Sequence, residues 1–210
     1  NMASVTKTVN LTLGSGFVVE GTGFVLNNEM DDFALLPGPP NAFGLVGGDA
    51  NAPKPGHRPL SSMTPSFVIG KDRVGVIGTP GGSRIITMVF EGILAGPLAG
   101  WRGLAEQLTA VAPPIPFPWA RKGREAGRGL LPQQVVGNPR YHHQYLPDVV
   151  SAEPDAFTAE ETRALQAMGH IVNAGERRWG LMNMVGWDRQ SNTLHAGADP
   201  REEMSSGKVQ

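Results

Sequence analysis

The chain has 210 residues, enough for one domain with a sizeable core, and its 40% hydrophobic and 18% charged content is ordinary for a globular protein. A formal net charge of -1 excludes the basic footprint of a nucleic-acid-binding protein, and the absence of cysteine excludes disulfides and thiolate metal sites. We expect neither a signal peptide at the first residues nor a membrane-spanning segment, because no apolar run is long enough.

The first quarter of the chain predicts short strands followed by a long loop. Residues 4–9 are rich in β-branched side chains, and short apolar runs follow glycines at 17–19 and 24–26. All three segments therefore predict strands. Proline and glycine are so frequent in residues 34–57 that this segment predicts a surface loop, and long ordered loops are often functional.

A hairpin and a helix are predicted next. Segments 66–70 and 73–78 read as two strands joined by a turn at Lys71. Apolar residues then recur at helical spacing from 85 to 94, and Ser83 is positioned to cap the N-terminus of that helix.

A second helix is predicted at about 158–168, with Thr158 and Glu161 as a capping box and Gly169 as its stop signal. Short strands are then expected near 171–173, 181–185 and 193–196. Because strands, helices and further strands follow one another, the sequence predicts a sheet covered by helices, which is an α+β layered fold.

Residues 97–137 interrupt this pattern. A proline-rich run at 113–118 precedes several basic residues, and no clean periodicity is present after about residue 110. We interpret 97–137 as an inserted loop within a single domain that spans residues 1–210.

Four segments together resemble one known family. They are TVN at 8–10 with GSG at 14–16, LNNEMDDF at 26–33, RPLSSMTP at 58–65 and GTPGGSRIIT at 78–87, supported by PRYHHQ at 139–144 and DPR at 199–201. In order and spacing these segments resemble the small subunit of the γ-glutamyltranspeptidases, which are N-terminal-nucleophile hydrolases.

The resemblance implies a four-layer αββα sandwich shared between a small and a large subunit of one self-cleaved precursor. It implies that a γ-glutamyl group moves from glutathione or glutamine to water, an amino acid or a peptide. It implies no cofactor and no metal, and, for bacterial members, export to the periplasm or outside the cell. The large subunit is the expected protein partner.

The family's nucleophile is an N-terminal threonine, activated by its own α-amine. Asn1 matches a position inside the family's small subunit, so we expect the nucleophile to lie outside the chain as given. The resemblance places the hydroxyl of Thr8 against that nucleophile, although a β-branched residue also suits a strand.

The donor's α-ammonium and α-carboxylate each need a binding group. By resemblance, Asn10, Glu29 and Asp32 bind the ammonium, and charged hydrogen bonds of this kind are strong. Ser61 and Ser62 resemble the pair that binds the carboxylate. Taken alone, the acidic segment also reads as a solvated turn and the serine pair as a plain turn.

The oxyanion needs hydrogen-bond donors, and the resemblance assigns them to Gly81 and Gly82. Glycines just before a helix can direct their N–H groups at one point, although a simple strand-to-helix turn has the same pattern. Phe43 stands where bacterial members often carry a lid tyrosine, and we expect loop 34–57 to be that lid. We expect the ring to pack without donating a hydrogen bond.

Trp179 is a candidate for the pocket wall or for the core. His142 and His143 need no catalytic role, because the nucleophile supplies its own base, and we interpret both as structural. Two other functions compete with the γ-glutamyltransferase. One is a related glutaryl or cephalosporin acylase, which needs no ammonium-binding acids. The other is a non-catalytic fragment that only binds its partner.

Overall fold

The computed structural model describes residues 1–36, 38–96 and 131–201. Within these ranges the chain forms seven strands and three α-helices: β1 Ser66–Ile69, β2 Arg73–Gly78, α1 Arg84–Ala95, α2 Pro132–Gly137, β3 Tyr141–Tyr145, β4 Asp148–Ala152, α3 Ala159–Ala167, β5 Val172–Ala174, β6 Asn183–Asp188 and β7 Thr193–Ala198. Short 3-10 turns form at Glu29–Asp32 and Asp49–Asn51. No helix in the described ranges combines the length and apolar character needed to cross a bilayer.

Two sheets organise the chain. The larger has the strand order β1-β2-β6-β7 and is antiparallel throughout, with Ile77 opposite Met184 and Met184 opposite Gly197. In the smaller sheet, β4 lies between β3 and β5, pairing antiparallel with β3 and parallel with β5. The chain is therefore a mixed α+β structure, as the sequence predicts.

The core lies between the larger sheet and the helices α1 and α2. Its largest members are almost completely buried: Ile77, Met88, Val89, Val136, Met182 and Met184. Each such side chain contributes about 1.5–3 kcal/mol when it leaves water. Glycines allow the close approach, because a Cβ on Gly92 would lie 2.4 Å from Ile77 and one on Gly197 would lie 2.4 Å from the Pro132 backbone.

A buried network of two arginines and two carboxylates joins the C-terminal end of the described chain to the rest. Asp199 accepts from Arg140 and, at 3.0 Å, from Arg201, while Glu153 accepts from Arg201 at 2.5 Å. All four side chains are at most 7% exposed. Although burial opposes ionisation, the Arg140 charge and hydrogen bonds from both arginines lower the pKa of Asp199.

The same four side chains bind the backbone of several elements. Arg140 donates to the carbonyls of Trp179 at 2.5 Å and Val136 at 2.9 Å. Glu153 accepts from the Trp179 N–H at 2.7 Å, and Asp199 accepts from the Met182 N–H at 2.8 Å. The network therefore fixes the loop between β5 and β6 against α2 and the start of β3.

The outer face of the larger sheet keeps apolar side chains in contact with solvent. Phe67 pairs across to Val76, and Val76 to Val185, so these residues share the face opposite the core. Phe67, Val185 and Leu194 are 42–47% exposed. Residues 3–7 run along the same face and enclose a groove of about 480 Å³ against β2 and β6.

Several sequence predictions are confirmed. The hairpin β1–β2 and the helices α1 and α3 form where expected, and Thr158 and Glu161 make the reciprocal capping box. Ser83 precedes α1 but makes no capping bond, because its own backbone is already helical with φ -59°. Strands β5 and β7 lie close to the predicted ranges, whereas β6 begins at 183 instead of 181.

Other predictions are wrong. Residues 4–9 form no strand, because they make no ladder of backbone hydrogen bonds with β2. They are attached to β2 by the Ser4 hydroxyl, which donates to the Ile77 carbonyl. The runs at 17–19 and 24–26 meet only at one bridge, between Val18 and Val25. Strands β3 and β4 were not predicted. Part of the expected insert, 132–137, is the helix α2, and its residues 97–130 lie outside the described ranges.

Replacing Asp199 with Asn should cost about 3–5 kcal/mol of stability, because two buried guanidinium groups then lose their shared carboxylate. Urea unfolding of the full-length protein measures this change. Arg178→Ala is the control, since Arg178 and Asp155 form an exposed pair 3.7 Å apart that contributes at most about 1 kcal/mol. Equal losses in the two variants would contradict the structural importance of the network.

Candidate functional site

Two carboxyl groups converge on one side of the first 3-10 turn. Glu29 and Asp32 both belong to this turn, which is held by a bond from the Phe33 N–H to the Met30 carbonyl. The pKa of Glu29 is raised by partial burial, by a hydrogen bond with Asp32 and by the Asp32 charge. Two carboxyl groups so close together are a candidate site for a cation.

Asn10 lies directly beside this acidic turn. Its backbone is left-handed, with φ +70°, and its side-chain amide donates to the carbonyl of Asn28 at 3.2 Å. The Asn28 side chain accepts in return from the Leu11 N–H at 3.1 Å. The Thr8 hydroxyl accepts from the Asn10 N–H at 2.8 Å, so Thr8 shapes the same turn.

Gly81 and Gly82 form a tight turn immediately before α1. Their φ angles of +148° and +60° lie in the region that favours glycine. A Cβ on Gly81 would lie 2.5 Å from Met88, and one on Gly82 would lie 2.3 Å from the Phe43 ring. Neither backbone N–H donates to another described residue, so both donors precede the helix with no acceptor from this part of the chain.

The tip of the predicted lid connects the acidic turn to the glycine pair. Asn41 organises the tip, because its side-chain oxygen accepts from the N–H groups of Phe43 and Leu45, each at 3.0 Å. On one side, the Asp31 carboxylate accepts from the Ala42 N–H at 3.4 Å. On the other side, the Phe43 ring lies against Gly82.

A single asparagine connects the serine pair to the acidic turn. The Asn51 amide donates to the Asp32 carbonyl at 2.7 Å and accepts from the Leu60 N–H at 3.0 Å. Ser61 and Ser62 follow directly, and the Ser61 hydroxyl accepts from the Met63 N–H at 3.2 Å. Asn51 therefore positions the residue before the serines against the backbone of Asp32.

Trp179 combines features of a core residue and of a pocket wall. It is half-buried and packs against the core, and the Arg84 guanidinium lies 5.2 Å from its ring centroid. The next residue, Gly180, has φ +75°, and a Cβ there would lie 2.6 Å from the Met88 sulfur. Trp179 thus borders the first turn of α1, one turn from the glycine pair.

The two adjacent histidines of β3 face opposite sides of the strand. His142 is buried between Thr87 and Gln144, and its pKa is lowered, mainly by burial. His143 is exposed and contacts Asp148 at 2.7 Å. No group of three possible metal ligands is present among the described histidines and carboxylates.

Sequence reasoning missed the residues that position the site. Asp31, Asn41, Asn51 and Gln144 carry the contacts between the acidic turn, the lid, the serine pair and β3. Asparagine in a proline- and glycine-rich segment is a recognised turn signal and could have pointed to Asn41 and Asn51. Nothing local in the sequence indicates the partners of Gln144.

Comparison with known proteins identifies the family of this chain. The fold is that of the N-terminal-nucleophile hydrolases, and the γ-glutamyltranspeptidase from Pseudomonas nitroreducens in complex with L-DON matches all of this chain and 94% of its own, with a TM-score of 0.74 at 36% identity. The family model for gamma-glutamyltranspeptidase matches residues 1–209. The chain therefore belongs to the gamma-glutamyltranspeptidase family, which is a family of enzymes.

Curated relatives give the same result over nearly the whole chain. The glutathione hydrolase proenzyme of Escherichia coli strain K12 is 36% identical over 211 residues, and that of Pseudomonas aeruginosa is 36% identical over 204 residues. The alignments cover 99% and 96% of this chain. The chain spans about a third of the length of these relatives, 31% in each case.

Replacing Gly82 with Ala should displace the lid tip, because the new Cβ would occupy the position of the Phe43 ring. Gly16→Ala is a matched control, since Gly16 has a similar φ of +71° but nothing within 4 Å of the added Cβ. Both variants should lose about 1–3 kcal/mol through backbone strain. Only Gly82→Ala should accelerate hydrogen exchange at Phe43 and Leu45, and equal exchange in both variants would contradict the contact.

Proposed function

We propose that this chain forms the γ-glutamyl donor site of a two-subunit γ-glutamyltranspeptidase that acts on compounds such as glutathione or glutamine. One observation carries the proposal: the convergent carboxyl groups of Glu29 and Asp32 are joined through the lid tip to a glycine pair with unused N–H donors. This pair of connected sites suits an amino acid whose side-chain carbonyl reacts: the carboxyl groups would bind its α-ammonium, and the glycine N–H groups would bind the carbonyl oxygen.

The donor's α-ammonium binds between Glu29 and Asp32, with the Asn10 amide at the edge of the site. These are charge-assisted hydrogen bonds, each typically contributing about 1.5–3 kcal/mol. The α-carboxylate lies toward Ser61 and Ser62, whose hydroxyls are donors to it. The distance between the two groups is set by Asn51, which bridges the acidic turn and Leu60.

The γ-carbonyl oxygen points at the N–H groups of Gly81 and Gly82. The positive end of the α1 dipole adds to these donors when the oxygen becomes negative. Loss of one such donor typically costs about 3 kcal/mol of transition-state stabilisation. No metal is required for this step, because backbone donors supply the stabilisation.

The nucleophile is an N-terminal threonine of the small subunit, as the family resemblance implies, with Thr8 beside it. The threonine oxygen attacks the γ-carbonyl while its proton passes to the threonine's own α-amine. The C–N bond to the leaving group then breaks, and the leaving amine takes that proton from the α-ammonium. Water or an incoming amine then attacks the γ-glutamyl-threonine ester and releases the threonine.

The two alternative functions make different demands on the acidic turn. A glutaryl or cephalosporin acylase binds a side chain without an α-ammonium, so it has no use for two converging carboxyl groups. A bound cation would offset the burial and the mutual repulsion that raise the pKa of Glu29. A fragment that only binds its partner would not need the glycine N–H donors either. The γ-glutamyl donor accounts for both features.

The partner is the large subunit of the same precursor, which packs on the outer face of the larger sheet. Exposed Phe67, Val185 and Leu194 give this face the apolar character of a surface that is buried in an assembly. The curated relatives are proenzymes about three times the length of this chain, which supports a second subunit. Export to the periplasm or outside the cell follows from the family resemblance.

Neutralising one acid should weaken donor binding without weakening the fold. Because the folded-state pKa of Glu29 is above its ordinary value of 4.5, the stability that Glu29 contributes is fully present below that pH and is lost as pH rises through the raised pKa. Glu29→Gln should therefore leave stability at neutral pH equal or higher. It should raise KM for a γ-glutamyl anilide by about 10- to 100-fold.

The matched control is Glu20→Gln, which neutralises an exposed carboxylate in the loop before Phe24. In the unsubstituted protein, KM should also rise as pH falls through the raised pKa of Glu29, because the protonated carboxyl no longer attracts the ammonium. This rise should be absent in Glu29→Gln. A glutaryl anilide, which lacks the α-amine, should be a poor substrate for the parent. Preference for the glutaryl compound would instead support the acylase.

Replacing Val185 with Asp should prevent the two subunits from assembling, because an unpaired carboxylate would be buried at the interface at a cost of several kcal/mol. Val185 is 42% exposed here, so this chain itself should tolerate the change. Ile171→Asp, at a 64% exposed position before β5, is the control. Co-purification of both subunits measures assembly, and normal yield with Val185→Asp would refute this interface.

A further inference from the structure

A chain of hydrogen bonds runs from helix α1 to the lid tip through two polar residues of β3. Thr87 on α1 contacts Nδ1 of His142 at 2.9 Å, and Nε2 of His142 contacts Oε1 of Gln144 at 2.9 Å. The Gln144 amide nitrogen then donates to the carbonyls of Phe43 and Gly44, each at 3.4 Å, and of Leu146 at 2.9 Å.

The donors and acceptors of this chain have one consistent direction. Since Nε2 of Gln144 faces only carbonyl oxygens, its Oε1 must face His142 and accept a hydrogen bond. Nε2 of His142 therefore carries a proton. Burial lowers the pKa of His142, so the neutral ring carries no second proton and its Nδ1 is an acceptor. The single proton of the Thr87 hydroxyl lies between this nitrogen, at 2.9 Å, and the Arg84 carbonyl, at 3.0 Å.

Local backbone geometry directs Gln144 toward the lid. Gln144 lies two residues after His142 on β3, so both side chains are on the same face of the strand. Opposite Gln144, β4 has a β-bulge, where Val149 and Asp148 both pair with Gln144. Gly44 completes the fit, because its φ is +74° and a Cβ there would lie only 3.3 Å from the Gln144 amide nitrogen.

The lid tip is thereby held at two points. Asp31 binds it on the side of the acidic turn through Ala42, and Gln144 binds it on the side of β3 through Phe43 and Gly44. The Phe43 ring lies over Gly82 between these two attachments. Loss of either attachment would let the ring move away from the glycine pair.

We propose that Gln144, oriented by His142, is a positioning residue that holds the lid closed over the oxyanion-binding glycines. Gln144 touches neither substrate nor reacting atoms and acts through the carbonyls of Phe43 and Gly44. For catalysis, this inference rests on the proposed γ-glutamyl donor site. For the position of the lid, it depends only on the contacts described above.

Gln144→Glu is the decisive variant, because it keeps the size of the side chain and the acceptor for His142 but turns the donor toward the lid into an acceptor. Its carboxylate would face three carbonyl oxygens. Gln144→Met removes the donor without adding charge. Hydrogen exchange at Phe43, Gly44 and Leu45 in the full-length protein should accelerate about tenfold in both variants, the effect of one lost hydrogen bond.

His143→Ala is the matched control, since His143 is the neighbour on the same strand but contacts Asp148 and His170 instead of the lid. In His143→Ala, the amides of Phe43, Gly44 and Leu45 should exchange at the same rate as in the unsubstituted protein. Parent-like exchange in both Gln144 variants, or equal acceleration in His143→Ala, would overturn the proposal. Overall unfolding in urea should be unchanged in Gln144→Met, which separates opening of the lid from loss of the fold.

Kinetics with a γ-glutamyl anilide give the second readout. Loosening the lid should raise KM several-fold in Gln144→Met, whereas kcat should change less because the glycine donors remain in place. If neither the unsubstituted protein nor any variant cleaves the anilide, but hydrogen exchange at the lid accelerates in the Gln144 variants as expected, then the proposed donor site is wrong and the lid contact is supported. If the anilide is cleaved with unchanged KM in Gln144→Met, the positioning role fails.

Discussion

The buried network of Arg140, Arg201, Glu153 and Asp199 is the constraint on which the rest of the structure depends. Its members come from the starts and ends of different elements, and each binds backbone groups of others. Four charges removed from water are tolerable because they alternate in sign and each side chain makes several hydrogen bonds. Through Trp179 and Gly180, the network also fixes the surface against which the first turn of α1 packs.

The candidate site shows the opposite electrostatic arrangement. At Glu29 and Asp32, two carboxyl groups lie together, and partial burial, a hydrogen bond with Asp32 and the Asp32 charge raise the pKa of Glu29. The N–H groups of the glycine pair donate to no acceptor among the described residues. The fold thus holds two carboxyl groups and two N–H donors in fixed positions before a ligand binds, which is a preorganised arrangement. A γ-glutamyl donor has these complementary charges.

The sequence is sufficient to predict elements whose periodicity is strong and whose contacts are local. The hairpin β1–β2, the apolar face of α1 and the Thr158 cap are examples. Strand β3 escapes prediction because Tyr-His-His-Gln-Tyr has no simple alternation, and its polar members are satisfied by distant partners. Residues 4–9 have the composition of a strand but lack a pairing partner in the described chain. Composition alone cannot reveal such pairing.

For the site, residue types were informative only together with the family resemblance. An acidic turn, a serine pair and a glycine pair are each common, and only their shared order along the chain made them specific. The resemblance could not reveal how they are connected. Asn51 reaches Leu60 and Asp32, and Gln144 reaches Phe43 from 101 positions away. Contacts of this kind depend on the folded backbone and leave no local pattern.

The position of the buried ionic network along the chain has a consequence for biosynthesis. Asp199 and Arg201 close a network whose other members, Arg140 and Glu153, are made some 50 residues earlier. Strand β2 likewise waits for β6, more than 100 residues downstream, before its second edge is covered. A nascent chain still in the ribosome therefore holds an incomplete core with unmatched charges. The core and the network can therefore be completed only after Arg201 has emerged from the ribosome, and until then the exposed apolar surface is available to chaperones.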